Sequence, residues 1–136
     1  MSNAPLYTVI TLAEALQDPA TWDWLALAGV PLPDEIPPGC DLTPSEMEAM
    51  LENMAGLRVD CHITDSTWQA SVTSRRDVSW ASLYFRGYTG DPDERQKLCF
   101  DGGWDELILL IAGHAARRCG PLVLLHDSGA APQVVY

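Results

Sequence analysis

The chain has 136 residues, of which 47% are hydrophobic, and its 19 acidic and 8 basic residues give a formal net charge of -11. This length is typical of one domain, and the apolar content argues against a disordered acidic chain. The charge argues against nucleic acid and anionic membranes as partners, because both are polyanions that recruit Lys and Arg.

The negative charge is concentrated before Arg58, where the sequence contains no Lys or Arg. This part holds nine acids, which are Glu14, Asp18, Asp23, Asp34, Glu35, Asp41, Glu46, Glu48 and Glu52. The rest of the chain is nearly balanced in charge. We predict a single domain over residues 1–136, with an acidic helical part at 1–56 and a sheet plus a helix at 57–136.

The sequence has no pattern typical of secretion or membrane insertion. Residues 1–9 lack a basic region followed by an apolar stretch, and the longest nearly apolar run, 107–113, is too short to span a bilayer. We therefore expect a cytoplasmic protein with reduced thiols. The cysteines show no C-x-x-C spacing and are interpreted as small core residues; they are Cys40, Cys61, Cys99 and Cys119.

Two helices are predicted before residue 30. The first covers 11–17 and begins at a capping box, and the second covers 20–28 and ends at a glycine. A single kinked helix is the alternative. The stripe predicted to be buried on the second helix consists of Trp22, Leu25 and Ala26.

An acidic loop and a third helix follow. Residues 30–42 contain four prolines, which exclude regular structure. The segment 43–46 combines a capping box with a proline at the first helical position, so we predict a helix that ends at Gly56. Apolar residues at helical spacing leave Glu48 and Glu52 on its opposite face.

After Gly56 the hydrophobic pattern alternates with a period of two, which predicts strands. The predicted strands are 57–64, 68–73, 79–88, 122–125 and 133–136, and 97–100 adds a brief one. The first three are expected to form an antiparallel meander, and 122–125 a central strand covered on both faces. With a last helix at 104–118, we expect a two-layer α+β domain: a mostly antiparallel sheet of about five strands packed against three helices.

Few residues are candidates for catalysis or metal binding. The only imidazoles are His62, His114 and His126, and a zinc site would need them to converge with cysteines that have no characteristic spacing. The segment 126–128 holds the residue types of a hydrolytic triad, but sequence neighbours at a strand end rarely reach triad geometry, and we interpret it as a turn. We expect no metal, no cofactor and no catalytic residue.

One face of the predicted strand 79–88 carries Trp80, Tyr84, Arg86 and Tyr88. Aromatic residues and Arg are enriched at protein interfaces, so these four residues are secondary interface candidates. The alternative is that this face is buried under a helix.

The acidic loop 30–42, the helix 43–56 and the compact sheet together resemble bacterial immunity proteins of polymorphic or type VI secreted toxins. This resemblance implies a cytoplasmic, non-catalytic protein that binds a cognate toxin with a basic cleft and occludes its active site. The acids favoured as partner contacts are Asp34, Glu35, Asp41, Glu48 and Glu52.

Three other interpretations remain open at the level of sequence. In the first interpretation, the acids have no binding role and only keep the protein soluble. The chain can be a small enzyme or ligand-binding domain with a pocket beside the sheet, near Trp80, Tyr84, Arg86 and His126. A homo-oligomeric scaffold domain is the third interpretation.

Overall fold

The computed structural model describes residues 6–130 and 132–136, which form an α+β fold with one antiparallel sheet. The elements in chain order are β1 (Tyr7–Thr11), α1 (Leu12–Ala15), α2 (Pro19–Leu27), α3 (Pro44–Glu52), β2 (Leu57–Ile63), β3 (Trp68–Ser74), β4 (Trp80–Phe85), β5 (Leu98–Gly103), α4 (Asp105–Cys119), β6 (Leu122–His126) and β7 (Gln133–Val135). The order of the strands across the sheet is β2-β3-β4-β5-β1-β6-β7.

Within the described residues the sheet has seven strands rather than about five, and the strand absent from the prediction is β1. It lies between β5 and β6 and pairs with both in antiparallel fashion. Its sequence, Tyr-Thr-Val-Ile-Thr, is rich in β-branched residues that fit a pleated surface. β1 therefore joins the meander β2-β3-β4-β5 to the pair β6-β7.

The predicted meander is confirmed, with β2 to β5 adjacent in chain order. The predicted central strand is confirmed as well. Leu122 and Leu124 of β6 enter one core and Val123 enters another, so both faces of this strand are covered.

The larger core lies between α3, α4 and one face of the sheet. α3 contributes Met47 and Leu51, and α4 contributes Ile108 and Ile111, all fully buried. They pack against inward side chains of β3, β4 and β5 such as Phe100. The apolar stripes of the two helices and the alternation along the strands specify this packing.

A smaller core covers the other face of the sheet at β1, β6 and β7. Leu12 and Ala15 of α1 and Leu25 of α2 pack there against Val123, together with apolar residues of the loop 30–42. The expected two layers therefore describe β2 to β5, whereas the β1-β6-β7 end has chain packed on both faces.

The described part of the chain has four helices rather than three, because α1 and α2 are separate. α1 ends at Ala15, and the Asp18 carboxylate then accepts a hydrogen bond from the backbone N–H of Ala20 at 3.0 Å. Such a cap starts a new helix. The capping box predicted for α3 is confirmed by reciprocal bonds between Thr43 and Glu46.

The cysteines divide between the core and the surface. Cys99 and Cys119 are buried as expected, whereas Cys40 and Cys61 are exposed, because they lie on an irregular loop and on the edge strand β2. In the described part of the chain, no helix combines the length and apolar character needed to cross a membrane.

Candidate functional site

Helix α2 exposes several large apolar side chains to solvent. Its only buried side chain is that of Leu25, whereas Trp22, Trp24 and Leu27 are 44%, 37% and 88% exposed. The predicted buried stripe is therefore wrong for Trp22 and Ala26, both of which are exposed. A short helix with apolar residues on every side cannot bury them all against a single contact surface.

The ring of Trp22 is held in place although it is exposed. Its indole N–H donates a hydrogen bond to the carbonyl oxygen of Leu16 at 2.8 Å. The polar atom is thus satisfied, and the remaining surface of the ring is available for contact. A fixed aromatic side chain loses little conformational freedom on binding, which favours tight association.

Four acids accompany this helix. Asp18 caps it, Asp23 lies on it, and Asp34 and Glu35 lie in the loop 30–42. Val30, Leu32 and Ile36 pack this loop into the same small core as Leu25. Among residues 6–130 and 132–136, none of the four acids forms an ion pair.

Exposed tryptophans and unpaired acids thus occur together on one face of the sheet. We call Trp22, Trp24, Leu27, Asp34 and Glu35 the α2 surface. An apolar centre with a charged surround is the usual anatomy of a protein interface. The sequence contained a signal for this surface in the composition of α2. Two tryptophans flank an aspartate there, in a helix with no clear polar face.

Glu48 and Glu52 lie on the opposite face of the sheet from the α2 surface. They project from α3, where Glu48 is half-buried and Glu52 is exposed. Both lie close enough to Cys61 of β2 for their negative charge to raise the pKa of its thiol. The favoured acids therefore do not form one patch, since α3 packs in the larger core and the loop 30–42 packs in the smaller one.

Asp41, the fifth favoured acid, already has a partner within the chain. Its carboxylate lies 3.2 Å from the ammonium of Lys97, which also binds Glu14. Arg95 donates a hydrogen bond to the backbone oxygen of Asp41 at 2.6 Å and lies 3.4 Å from Glu46. Two cations from beyond the acidic segment thus neutralise part of it.

The ion pairs of Lys97 affect its protonation. Burial lowers the pKa of Lys97, but its hydrogen bonds to Glu14 and Asp41 outweigh that effect, so the pKa lies above its ordinary value. Lys97 therefore stays charged at neutral pH and lines an open recess of about 340 Å³ between α1 and the loop 30–42. These ion pairs join α1 and the loop 30–42 through Lys97.

The face of β4 predicted to carry aromatic residues is open to solvent. Trp80 is 46% exposed, Arg86 is exposed and Tyr84 is half-buried. Trp80 lies over Gly102 of β5, where an added Cβ would approach its ring to 3.0 Å. Helices α3 and α4 cover the other side of this strand, so the alternative of burial under a helix does not apply to these three residues.

Tyr88 does not belong to this face. It is 9% exposed and packs in the larger core, on the side of Ala81 and Leu83. β4 ends at Phe85, and Gly87 adopts a φ of 63°, which turns the chain over. The predicted alternation therefore fails after residue 85.

The pocket expected beside the sheet does not include His126. A cavity of about 190 Å³ on the open face is lined by Thr67, Gln69, Tyr84 and Asp101. His126 lies on the opposite face of the sheet, where its ring meets the ring of Tyr7 edge-on at 4.8 Å. The cavity is smaller than the roughly 300 Å³ at which small-molecule sites begin.

Asp127 and Ser128 form a turn after His126, the last residue of β6, as predicted. The Nδ1 atom of His126 lies 2.7 Å from the Ser128 hydroxyl and 3.2 Å from the Asp127 carboxylate. A hydrolytic triad needs the serine and the carboxylate on different ring nitrogens, and here both approach the same one. In the described residues, no group of three or more His, Cys, Asp or Glu side chains is arranged to hold a metal ion.

Comparison with known proteins adds no family to this description. No family model, no curated protein and no solved structure matches the chain. Function must therefore be inferred from the surfaces of the molecule itself.

Proposed function

We propose that this protein is a non-catalytic, acidic inhibitory binding protein, an immunity protein that neutralises a cognate bacterial toxin by occluding its active site. The observation that carries the proposal is the α2 surface. It combines exposed tryptophans with unpaired acids in a segment that has no Lys or Arg. A basic cleft with an apolar floor is the partner that complements such a surface.

The negative charges of this protein would act on its partner in two ways. The net charge of -11 attracts a cationic toxin over a distance and raises the rate of encounter. Asp34 and Glu35 would then form ion pairs around the tryptophans, while Glu48 and Glu52 on the other face contribute to the field alone. A cytoplasmic location follows from this function, because a toxin must be neutralised where it acts.

The proposal is tested by identifying the partner and measuring its activity. The immobilised protein is used at low salt to capture its partner from the native cell, with the product of the adjacent reading frame as the first candidate. We expect a basic protein whose toxic activity is lost when one equivalent of the inhibitor is added. Full activity of the captured protein in the saturated complex would refute the proposal.

The α2 surface is tested with a matched pair of variants. Trp22→Ala combined with Trp24→Ala should weaken binding at least about 100-fold, since interface tryptophans are among the strongest hot spots. Trp104→Ala is the control, because Trp104 is 46% exposed but lies at the start of α4, away from α2. Equal affinities of the double variant and the wild type would remove α2 from the interface.

A further inference from the structure

β2 is an edge strand, and no other strand within residues 6–130 and 132–136 pairs with its outer side. It pairs with β3 over all seven of its residues in a continuous register, with no proline and no register shift. The opposite edge, β7, has only three residues. A long, regular edge strand is a template for pairing with a further strand.

The backbone groups available on this edge are defined by the pairing with β3. Arg75 donates its N–H to the carbonyl oxygen of Gly56 at 2.8 Å, and Thr64 donates to that of Thr67 at the same distance. Even-numbered residues of β2 therefore bond to β3. Because hydrogen bonding alternates along a strand, the outward N–H and C=O groups belong to Leu57, Val59, Cys61 and Ile63.

The side chains of β2 are self-complementary about Val59. If a second β2 strand pairs antiparallel around this residue, Arg58 of each copy lies opposite Asp60 of the other. Val59 then lies opposite Val59, and Leu57 lies opposite Cys61. The arrangement pairs outward backbone groups with each other and places opposite charges directly across the strands.

The neighbouring registers are less favourable. Centring the pair on Asp60 would place two aspartates opposite each other, and centring it on Arg58 would do the same with two arginines. Centring it on Cys61 pairs Asp60 with His62 and Arg58 with Thr64, so the Arg58–Asp60 pair is lost. At present Arg58 and Asp60 are exposed and lie 3.7 Å apart within one strand, so both are free to exchange partners.

We propose that β2 is a self-association surface, through which two copies of the chain join their sheets antiparallel about Val59. The apolar side chains of Leu57 and Val59, which are half-buried in the single chain, then lie against Cys61 and Val59 of the other copy. The net charge of each copy opposes this approach, but salt at about 0.15 M screens it beyond about 8 Å. The contact is small, so the dimer forms and dissociates with concentration.

The first test is sedimentation of the wild-type protein at about 0.15 M salt, over concentrations from about 5 to about 500 µM. We expect a monomer that converts to a dimer as concentration rises. Arg58→Asp and Asp60→Arg should each weaken the dimer about tenfold, and the double variant should restore it, since opposite charges again face each other. Arg117→Asp, at the end of α4, carries the same change in charge as Arg58→Asp and should have no effect.

The second test uses the backbone. Val59→Pro removes an outward N–H without touching the bonds to β3, so it should prevent dimerisation while the urea midpoint stays near that of the wild type. If this variant does not fold, the charge-exchange pair carries the test. A wild type that stays monomeric throughout, or a dimer unaffected by the Arg58 and Asp60 variants, overturns the proposal.

The register is tested by cross-linking in chains that lack Cys40. Val59→Cys with Cys61→Ser should form an intermolecular disulfide, because opposed residues in a hydrogen-bonded pair have Cα atoms about 5.5 Å apart. Native Cys61 alone should not. If native Cys61 forms the disulfide and the Val59→Cys variant does not, the pairing is centred on Cys61 and the proposed register is overturned. If the protein stays monomeric and its β2 edge binds a strand of another protein, the edge belongs to that different partner.

Discussion

At the scale of single residues, Cys61 reports on the acids of α3. Burial, followed by the negative charges of Glu48, Glu52 and Asp60, raises the pKa of its thiol to about 11. The thiolate, not the thiol, is the reactive form, so this cysteine is slow to react although it is exposed. The sequence alone could not place Glu48 beside Cys61, because they belong to different elements.

The thiol of Cys61 provides a test of this arrangement. In a Cys40→Ser chain, Glu48→Gln with Glu52→Gln should lower the pKa of Cys61 and increase its alkylation rate at pH 8 about threefold. The rate is followed against pH with a small neutral reagent. Asp34→Asn with Glu35→Asn removes the same charge on the other face and should leave the rate unchanged. An unaltered rate in the glutamine variant would show that Glu48 and Glu52 do not lie close enough to β2 to affect Cys61.

Tyr88 shows the limit of alternation as a guide to single positions. The pattern correctly placed Trp80 and Tyr84 on the face opposite the buried residues Ala81, Leu83 and Phe85, since sterics force successive side chains to opposite faces. It could not show that the strand ends at Phe85. The strand ends there because the chain turns at Gly87, which has a positive φ.

At the scale of elements, local signals determine the helices and long-range pairing determines the sheet. The caps and prolines that start α2 and α3 lie within a few residues of each other, so they are visible in the sequence. β1 pairs with segments about ninety or more residues further on, at β5 and β6. Its alternating pattern was present, but its central position depends on those distant partners.

The junction of β5 and α4 depends on Gly103. It has a φ of +134°, and an added Cβ would lie 2.6 Å from both the Cα of Ala81 and the carbonyl oxygen of Trp80. Gly103→Ala should therefore lower the free energy of unfolding by about 3 kcal/mol, because backbone rather than a side chain would have to move. Urea unfolding at equilibrium measures the change.

A second glycine is the matched control for this prediction. Gly113 lies within α4, and an added Cβ would meet only Val135, at 3.8 Å. Gly113→Ala should raise the free energy of unfolding by about 0.5–1 kcal/mol, since Ala is the better helix former. Equal effects of the two substitutions would contradict the close approach at Gly103.

At the scale of the whole molecule, the uneven distribution of charge along the sequence is partly compensated by ion pairs formed in the fold. Lys97 and Arg95 neutralise Glu14, Asp41 and Glu46, which ties the acidic segment to the strand side of the chain. The other acids of this segment, on two faces of the sheet, form no ion pair with any residue that the structure describes. The sequence predicted the charge and most of the strands, but it could not show which acids are paired, because the cations lie about fifty to eighty residues away.

The candidate site was only partly visible for the same reason. Asp34 and Glu35 were among the favoured acids, yet their position on the same face of the sheet as the exposed tryptophans depends on how α2 and the loop 30–42 share one small core. Trp22 was expected inside the molecule. Composition therefore indicated an acidic binder, whereas the apolar part of its surface required the fold.

The proposed inhibitory binding through the α2 surface is tested most directly by the kinetics of complex formation between this protein and its captured partner, at low and moderate salt. Two charge-reversed variants are compared: Asp34→Lys with Glu35→Lys, and Glu48→Lys with Glu52→Lys. Both change the net charge equally, so both should slow association and flatten its salt dependence.

The dissociation rates then distinguish the two faces of the sheet. Only the variant at Asp34 and Glu35 should dissociate faster, by about tenfold or more, because only these acids form ion pairs in the complex. Association and dissociation rates equal to those of the wild type in both variants would contradict an electrostatically guided inhibitor.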